Sequence, residues 1–242
     1  IVIRRFDEST DPQIAIEPDR YLYPASMLKT PLALAAMTLI EEGVFDFDCT
    51  FEVAQTNMTA NDKPSPLVPG YTAKMTELIE LMLTISDNVA TNLFFDILGR
   101  ERATAIVQDR YGLAHTAFYR KLSGSEPLIH DPQWDGKHRN MHSCGDAARV
   151  FELIAKGQIP RAQYLREVLS RQQFNNKLSE GLRSGDSFAH KTGDTDEVTH
   201  DGGILTTKAG PSYIVVVYTG LESSDANNAR FAPFMREIRA LL

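Results

Sequence analysis

Ser26 and Lys29 stand at the head of an apolar run, in Ala-Ser-Met-Leu-Lys-Thr-Pro followed by Leu-Ala-Leu-Ala-Ala-Met-Thr-Leu-Ile. On a helix this i, i+3 spacing puts the hydroxyl and the amine on one face. A serine hydroxyl is a poor nucleophile unless a base stands beside it. A lysine whose charged form is disfavoured by desolvation can be that base. The start of a helix adds backbone N–H groups and a positive field for a developing oxyanion. The plainer alternative makes Ser26 a helix cap and Lys29 a solvated surface residue. Four-residue patterns recur by accident, so further groups have to decide between the two.

Two further clusters supply such groups. Ser86-Asp87-Asn88 falls at the junction of two helical patterns in Glu-Leu-Met-Leu-Thr-Ile-Ser-Asp-Asn-Val-Ala-Thr-Asn-Leu. There Ser86 could relay a proton and the Asn88 amide could hold a substrate carbonyl, or Ser86 and Asp87 could simply cap a helix. Lys191-Thr192-Gly193 ends a strand-like run. Gly193 permits a substrate backbone to approach closely, and Lys191 and Thr192 are then available to a substrate carboxylate. An ordinary strand end with a solvated lysine is the alternative.

The elements that must position these groups are legible in outline. Ile1 to Phe6 and Gln13 to Glu17 flank Asp-Glu-Ser-Thr-Asp-Pro and read as a β-hairpin. Ser26 to Glu42 reads as a helix closed by Gly43. Pro31 requires that helix to begin at or just before Ser26, because proline is tolerated only in the first turns. Cys49 to Gly70 reads as loop. Helical patterns cover Thr72 to Thr84, Asn88 to Leu98, Glu101 to Tyr111, Cys144 to Lys156 and Arg161 to Gln172. Between Thr116 and Ser143 lies a long aperiodic stretch of the kind that is usually functional or disordered. Ser187 to Thr192, His200 to Thr207 and Tyr213 to Thr219 read as strands. An amphipathic helix carries Phe231, Phe234, Met235, Ile238, Leu241 and Leu242 on one face. Strands at both ends and helices between them imply an α/β (α+β) chain whose single sheet is built from both termini. The chain is expected to be one catalytic domain, with an α/β lobe of residues 1–48 and 173–242 and an inserted helical lobe of residues 49–172.

Composition narrows the function classes. The 242 residues are 43% hydrophobic and 24% charged, an ordinary globular balance. A net charge of −7 and the lack of a basic stripe argue against nucleic-acid binding. No apolar run is long enough to span a bilayer. Cys49 and Cys144 read as separate small hydrophobes, although an oxidising compartment would allow them to pair. His115, His130, His138, His142, His190 and His200 show no zinc spacing joined to a third ligand, so no metal or other cofactor is expected. The opening Ile-Val-Ile-Arg-Arg-Phe has no signal-peptide pattern, and localisation is not legible from it.

Ser-x-x-Lys, Ser-Asp-Asn and Lys-Thr-Gly in this order resemble the serine β-lactamase family, class A type, together with the wider penicillin-binding serine hydrolases. The resemblance runs over nearly the whole chain. It is densest in Leu-Ile-Glu-Leu-Met-Leu-Thr-Ile-Ser-Asp-Asn-Val-Ala-Thr-Asn-Leu-Phe-Phe-Asp-Ile-Leu-Gly and in Ala-His-Lys-Thr-Gly-Asp-Thr-Asp-Glu-Val-Thr-His-Asp-Gly-Gly-Ile-Leu. It implies the β-lactamase/transpeptidase-like fold and an acyl-enzyme on Ser26. Lys29 would be the general base, Ser86 the relay to the leaving nitrogen and Asn88 the holder of the substrate amide. Lys191 and Thr192 would bind the substrate carboxylate, and the backbone N–H groups of Ser26 and Asp194 would form the oxyanion hole.

The resemblance further implies a small β-lactam or peptidoglycan-like substrate, a monomer, and a periplasmic or secreted setting. A D-Ala-D-Ala peptidase or esterase, and a penicillin sensor that acylates once, are the alternatives. Two departures stand out. The family's loop Glu, followed four residues later by Asn, activates the deacylating water. Here Glu126 is the carboxylate in that place, ahead of Asp131 and Asp135, and His130 stands for the Asn. The Arg and Asp that close the neck of that loop are replaced by Gly124 and Asn140. His200 falls where the family often has a strand Arg for the substrate carboxylate, to do that work when protonated or simply to pack.

Overall fold

The protein is described here as a computed structural model covering residues 1–5, 14–124 and 129–242. Strand β1 (Val2–Arg5) pairs with the short β2 (Ile14–Ala15), as the hairpin reading requires; the turn between them lies outside the described residues. Strands β5 (Ser187–Asp194), β6 (Thr199–Thr206) and β7 (Ser212–Thr219) complete an antiparallel sheet of order β2-β1-β7-β6-β5. The first strand therefore docks on the last, Val2 opposite Val216, and the sheet is built from both ends of the chain.

Alternation along the strands sends each residue set to its own side. Ile3, Phe188, Leu205, Tyr213, Val215 and Val217 pack with Phe231, Met235 and Ile238 of the last helix (Phe231–Leu241). Val2, Ala189, Ile204, Ile214 and Val216 join the larger core with the other helices. By this parity Lys191 shares the helical face with Ala189, while Thr192 and Asp194 follow Phe188 and His190.

Helix α1 (Lys29–Glu41) runs through the middle of that larger core, buried from Lys29 to Ile40. A single 3₁₀ turn, Ala25–Leu28, leads into it, so Pro31 sits in the first α-turn, where its missing N–H costs least. Around α1 lie α2 (Met75–Thr84), α3 (Asn88–Leu98), α4 (Arg100–Ala105, continuing as a π-turn through Arg110) and α5 (Cys144–Ala155). Helix α6 (Ala162–Ser170) lies against β5.

Two expectations need correcting. Residues 49–70 are not loop throughout, and the helix expected from Thr72 begins at Met75. Thr50–Glu52 (β3) and Thr72–Lys74 (β4) instead form a two-stranded ribbon. Only Ala73 of these six residues is buried, which leaves too little alternation to read as strand. Cys49 and Cys144 are both free.

Between Thr116 and Ser143 the described residues hold only one β-bridge, Ala117 with Met141, and polar side chains do the fixing. Asn140 Oδ1 accepts from the N–H groups of Tyr119 (2.7 Å) and Arg120 (3.0 Å), and its Nδ2 donates to the Arg120 carbonyl (2.9 Å). One amide thus closes the loop neck without an ion pair there. Deeper in, Arg100 pairs with Asp131 at 2.6 Å, both side chains buried, and Asp131 also accepts from Lys121 N at 2.7 Å. Removing one partner of such a pair strands a buried charge. Asp131→Ala is therefore expected to cost about 3–5 kcal/mol, read as a lowered urea midpoint, whereas an effect below about 1 kcal/mol would show that Arg100 finds another partner.

Candidate active site

The geometry starts from Lys29, fully buried at the first position of α1. Its Nζ donates to the Ser86 carbonyl at 2.5 Å and to Asn88 Oδ1 at 2.8 Å, and it lies 3.1 Å from Ser86 Oγ. Lys191 Nζ reaches the same hydroxyl from β5, 2.9 Å from Ser86 Oγ, and also donates to the Thr192 carbonyl at 2.9 Å. Two amines from opposite sides of the cleft thus meet at one hydroxyl.

Burial shifts both amines toward neutrality. Desolvation holds the Lys29 ammonium well below the usual lysine range, and the nearby Lys191 adds to it. Desolvation likewise pulls Lys191 down to about 7, opposed first by the Asp194 carboxylate. A neutral amine has two N–H donors and one lone pair. In Lys29 the Ser86 carbonyl and Asn88 Oδ1 take the two donors, which leaves the lone pair for a hydroxyl proton.

The backbone is strained at both serine segments. Among the described residues four non-glycine positions have positive φ, and two are Ala25 (φ 48), next to Ser26, and Ser86 itself (φ 58). Such conformations cost energy and need support from their surroundings. At Ser86 the conformation accompanies a carbonyl that accepts from Lys29. The next residue, Asp87, caps α3 by accepting from Ala90 N at 2.9 Å, so the capping alternative holds for Asp87. Asn88 is fixed from the loop side, its N–H donating to Asn61 Oδ1 (2.6 Å) and its Nδ2 to the Ala60 carbonyl (2.8 Å).

Ser26 lies half-buried in the 3₁₀ turn, beside the end of β5. A Cβ on Gly193 would stand 2.9 Å from the Pro24 carbonyl and 3.2 Å from the Ala25 Cβ. The close approach that Gly193 allows is therefore by the Ser26 turn itself. Thr192, on the other face of β5, is also buried.

His200 takes the packing alternative. It is fully buried, stacks on Tyr218 with ring centroids 4.0 Å apart, and its Nδ1 accepts from Thr219 N at 3.2 Å. Nε2 is then the protonated nitrogen and donates to the Tyr23 carbonyl at 2.9 Å. Desolvation pulls its pKa down to about 4, so the ring is neutral with no donor left for a carboxylate.

Glu126 lies outside the described residues. The other loop acids are already engaged: Asp131 by Arg100, and Asp135 by His138, whose hydrogen bond holds it below the usual carboxylate range. His130 is exposed.

Sequence reasoning missed Asp62 and Lys177. The exposed Asp62 carboxylate favours the charged form of both Lys29 and Lys191. Lys177, almost wholly buried, donates to Asp194 Oδ1 at 2.6 Å and to the His200 carbonyl at 3.0 Å. Neither sits in a motif, and a lone Lys in Asn-Asn-Lys-Leu carries no sign of burial.

A sheet drawn from both termini around a buried helix that opens on Ser26 is the architecture of β-lactamases and penicillin-binding proteins. The chain matches PBP-A with a TM-score of 0.79 at 25% identity, covering 93% of this chain and 82% of that one. It matches a β-lactamase from Sphaerobacter thermophilus with a TM-score of 0.82 at 22% identity, covering 100% and 91%. In sequence it is 24% identical over 237 residues to the extended-spectrum β-lactamase PER-1 of Pseudomonas aeruginosa, covering 90% of this chain and 75% of that protein. The family model described as "Beta-lactamase enzyme family" matches residues 1–241, and the chain belongs to that family.

The lowered lysines have a thermodynamic consequence. Between about pH 7 and 10.5 the unfolded chain keeps a proton on Lys191 that the folded chain has released. Unfolding then takes up protons, so stability contributed here rises with pH across that window and is lost as pH falls toward 7. Lys191→Met should flatten the rise in urea midpoint between pH 7 and 9; an unchanged slope would show that Lys191 stays charged.

Proposed function

We propose that this member of the β-lactamase family opens β-lactam rings through a covalent acyl-enzyme on Ser26. The observation that carries the reading is the fully buried Lys29, whose Nζ meets the Ser86 hydroxyl from one side while Lys191 Nζ meets it from the other. Lys29 takes the Ser26 proton as the hydroxyl attacks the lactam carbonyl, and Ser86 passes a proton to the leaving nitrogen. The N–H groups of Ser26 and Asp194 receive the oxyanion. Asn88 holds the substrate amide through the Nδ2 proton not given to Ala60, and Lys191 and Thr192 face the substrate carboxylate. Glu126 activates the deacylating water. The engagement of Asp131 and Asp135 supports Glu126 over the other loop acids, since a base must be free to accept a proton.

A second reading, a penicillin-binding hydrolase or sensor that stays acylated, is favoured by the likeness to PBP-A. An acyl-enzyme complex with penicillin G is reported for a variant of that protein, which this chain matches at 26% identity and a TM-score of 0.80. Family resemblance supports a periplasmic or secreted setting, and among the described residues no helix is long and apolar enough to cross a membrane.

Intact-mass spectrometry with a penicillin tests the nucleophile. The unaltered chain should gain one adduct and Ser26→Ala none, and an adduct that persists or maps to Ser86 reverses the roles. Lys29→Met should slow acylation by roughly 10²–10⁴-fold, the usual worth of a general base. Glu126→Gln should acylate normally and then accumulate the adduct after a single burst. If the unaltered chain itself stalls after one burst, the penicillin-binding reading replaces the lactamase.

A further inference from the structure

The first turn of α3 leaves its leading N–H groups without intrahelical acceptors. Asp87 takes only the third of them, Ala90 N at 2.9 Å. The first, on Asn88, is capped from another segment altogether: Asn61 Oδ1 accepts it at 2.6 Å, 27 residues away in the chain. The neighbouring Ala60 carbonyl accepts from Asn88 Nδ2 at 2.8 Å, which leaves Oδ1 of the same amide for Lys29 Nζ, also at 2.8 Å. Two consecutive residues of one loop therefore set both the backbone and the side chain of Asn88.

The loop has a separate anchor nearer its base. Asn57 Nδ2 donates to Asp96 Oδ2 at 2.7 Å, and the Asn57 carbonyl accepts from Asn92 Nδ2 at 3.2 Å. Asn88, Asn92 and Asp96 follow the i, i+4 spacing of one helix face. The loop thus runs along that face of α3, and Asn61 closes its cleft end. Asn61 is half-buried, whereas the next residue, Asp62, is exposed. With its base pinned independently, the loop can lose the Asn61 amide and still stay docked on α3.

Lys29 is where this clasp acts. Its two N–H donors go to the Ser86 carbonyl and to Asn88 Oδ1, so fixing both acceptors fixes the direction of the lone pair. Ser86 has positive φ and needs outside support, and the capped Asn88 stands two residues on. Building on the Ser26 acylation reading, we infer that Asn61 is a positioning residue for Lys29. By capping the Asn88 N–H from the cleft wall it fixes the acceptor geometry that aims the amine. Asn61 itself touches no reacting atom and adds no step to the chemistry.

The same loop brings up the Asp62 carboxylate, which joins Asp87 in favouring the charged form of Lys29 against burial and the nearby Lys191. The test follows the rate of Ser26 acylation by a penicillin as a function of pH, read by intact mass. Asn61→Ala removes the acceptor, so the plateau rate should fall by about tenfold or more, since small misplacements of a reacting group are costly. Its acid limb should move to lower pH as the Asp62 charge leaves Lys29. Asn61→Asp keeps an oxygen on the Asn88 N–H and adds a negative charge, so it should restore most of the plateau and move the acid limb to higher pH. Should Asn61→Ala fail to fold, the plateau and the direction of the limb shift in Asn61→Asp decide. A purely structural role predicts lowered urea midpoints in both variants with the plateau and limb unmoved. That result, or an Asn61→Asp variant as slow as Asn61→Ala, would overturn the inference while leaving Ser26 acylation standing. If the unaltered chain forms no Ser26 adduct, the acylation reading itself fails and this inference goes with it.

Discussion

Everything at the site depends on holding two amines against one hydroxyl away from water. Lys29 and Lys191 are both fully buried and both reach Ser86 Oγ. Two ammonium ions in such a place would repel each other and lose hydration that one hydroxyl cannot replace. The arrangement is tolerable when at least one amine is neutral, and neutrality is what a general base needs. The same burial that lowers the lysines therefore makes them chemically useful. It also dictates the architecture, since Lys29 must come from a helix running through the core and Lys191 from a strand on its flank.

The strained backbone belongs to the same constraint. Ala25 and Ser86 adopt left-handed conformations that would relax if their neighbours allowed it. Ser86 is held by Lys29 at its carbonyl and by the capped start of α3 just beyond it. The Ala25 turn is held by close packing against Gly193, where no side chain intervenes. A strand that slipped in register would flip every side chain to the other face. The continuous β5–β6 and β6–β7 ladders therefore locate the Ser26 turn as well as Lys191.

Much of this was legible in the sequence because it is local. Pro31 placed the helical start near Ser26, where a 3₁₀ turn opens before α1 begins at Lys29. Apolar runs separated by turn residues marked β5, β6 and β7, and Ser-x-x-Lys, Ser-Asp-Asn and Lys-Thr-Gly supplied most of the polar groups. The features that escaped are made by tertiary contact. Nothing in the neighbourhood of His200 shows that Tyr218 stacks on it and the Tyr23 carbonyl takes its proton. Nothing in Asn-Asn-Lys-Leu shows that Lys177 is buried against Asp194. The ribbon of β3 and β4 escaped for another reason: it buries too little to leave a period. The loop neck escaped because an Asn amide, satisfying three backbone groups, does the work expected of opposite charges.

Strand β5 carries polar commitments on both faces, and the far face explains how the near one stays in place. His190 lies between Asp201 (Nδ1 to Oδ1, 2.8 Å) and the pair Ser179 Oγ and Asn175 Oδ1, each 3.0 Å from Nε2. Asp201 also accepts from Leu178 N at 3.0 Å. The order Ser179, His190, Asp201 imitates a nucleophile array. However, Asn175 Nδ2 donates to the Gln172 carbonyl, which turns its Oδ1 toward the imidazole and supplies a second acceptor there. Nε2 is shared between the Ser179 hydroxyl and the Asn175 amide rather than reserved for the serine. The cluster is thus a clamp tying the 175–179 segment to β5 and β6. Because Lys177 leaves that same segment for Asp194, the clamp fixes this lysine as well as the strand that bears its carboxylate partner. Loosening the His190 cluster would therefore disturb the Lys177–Asp194 pair before it disturbed Lys29, which is anchored by Ser86 and Asn88.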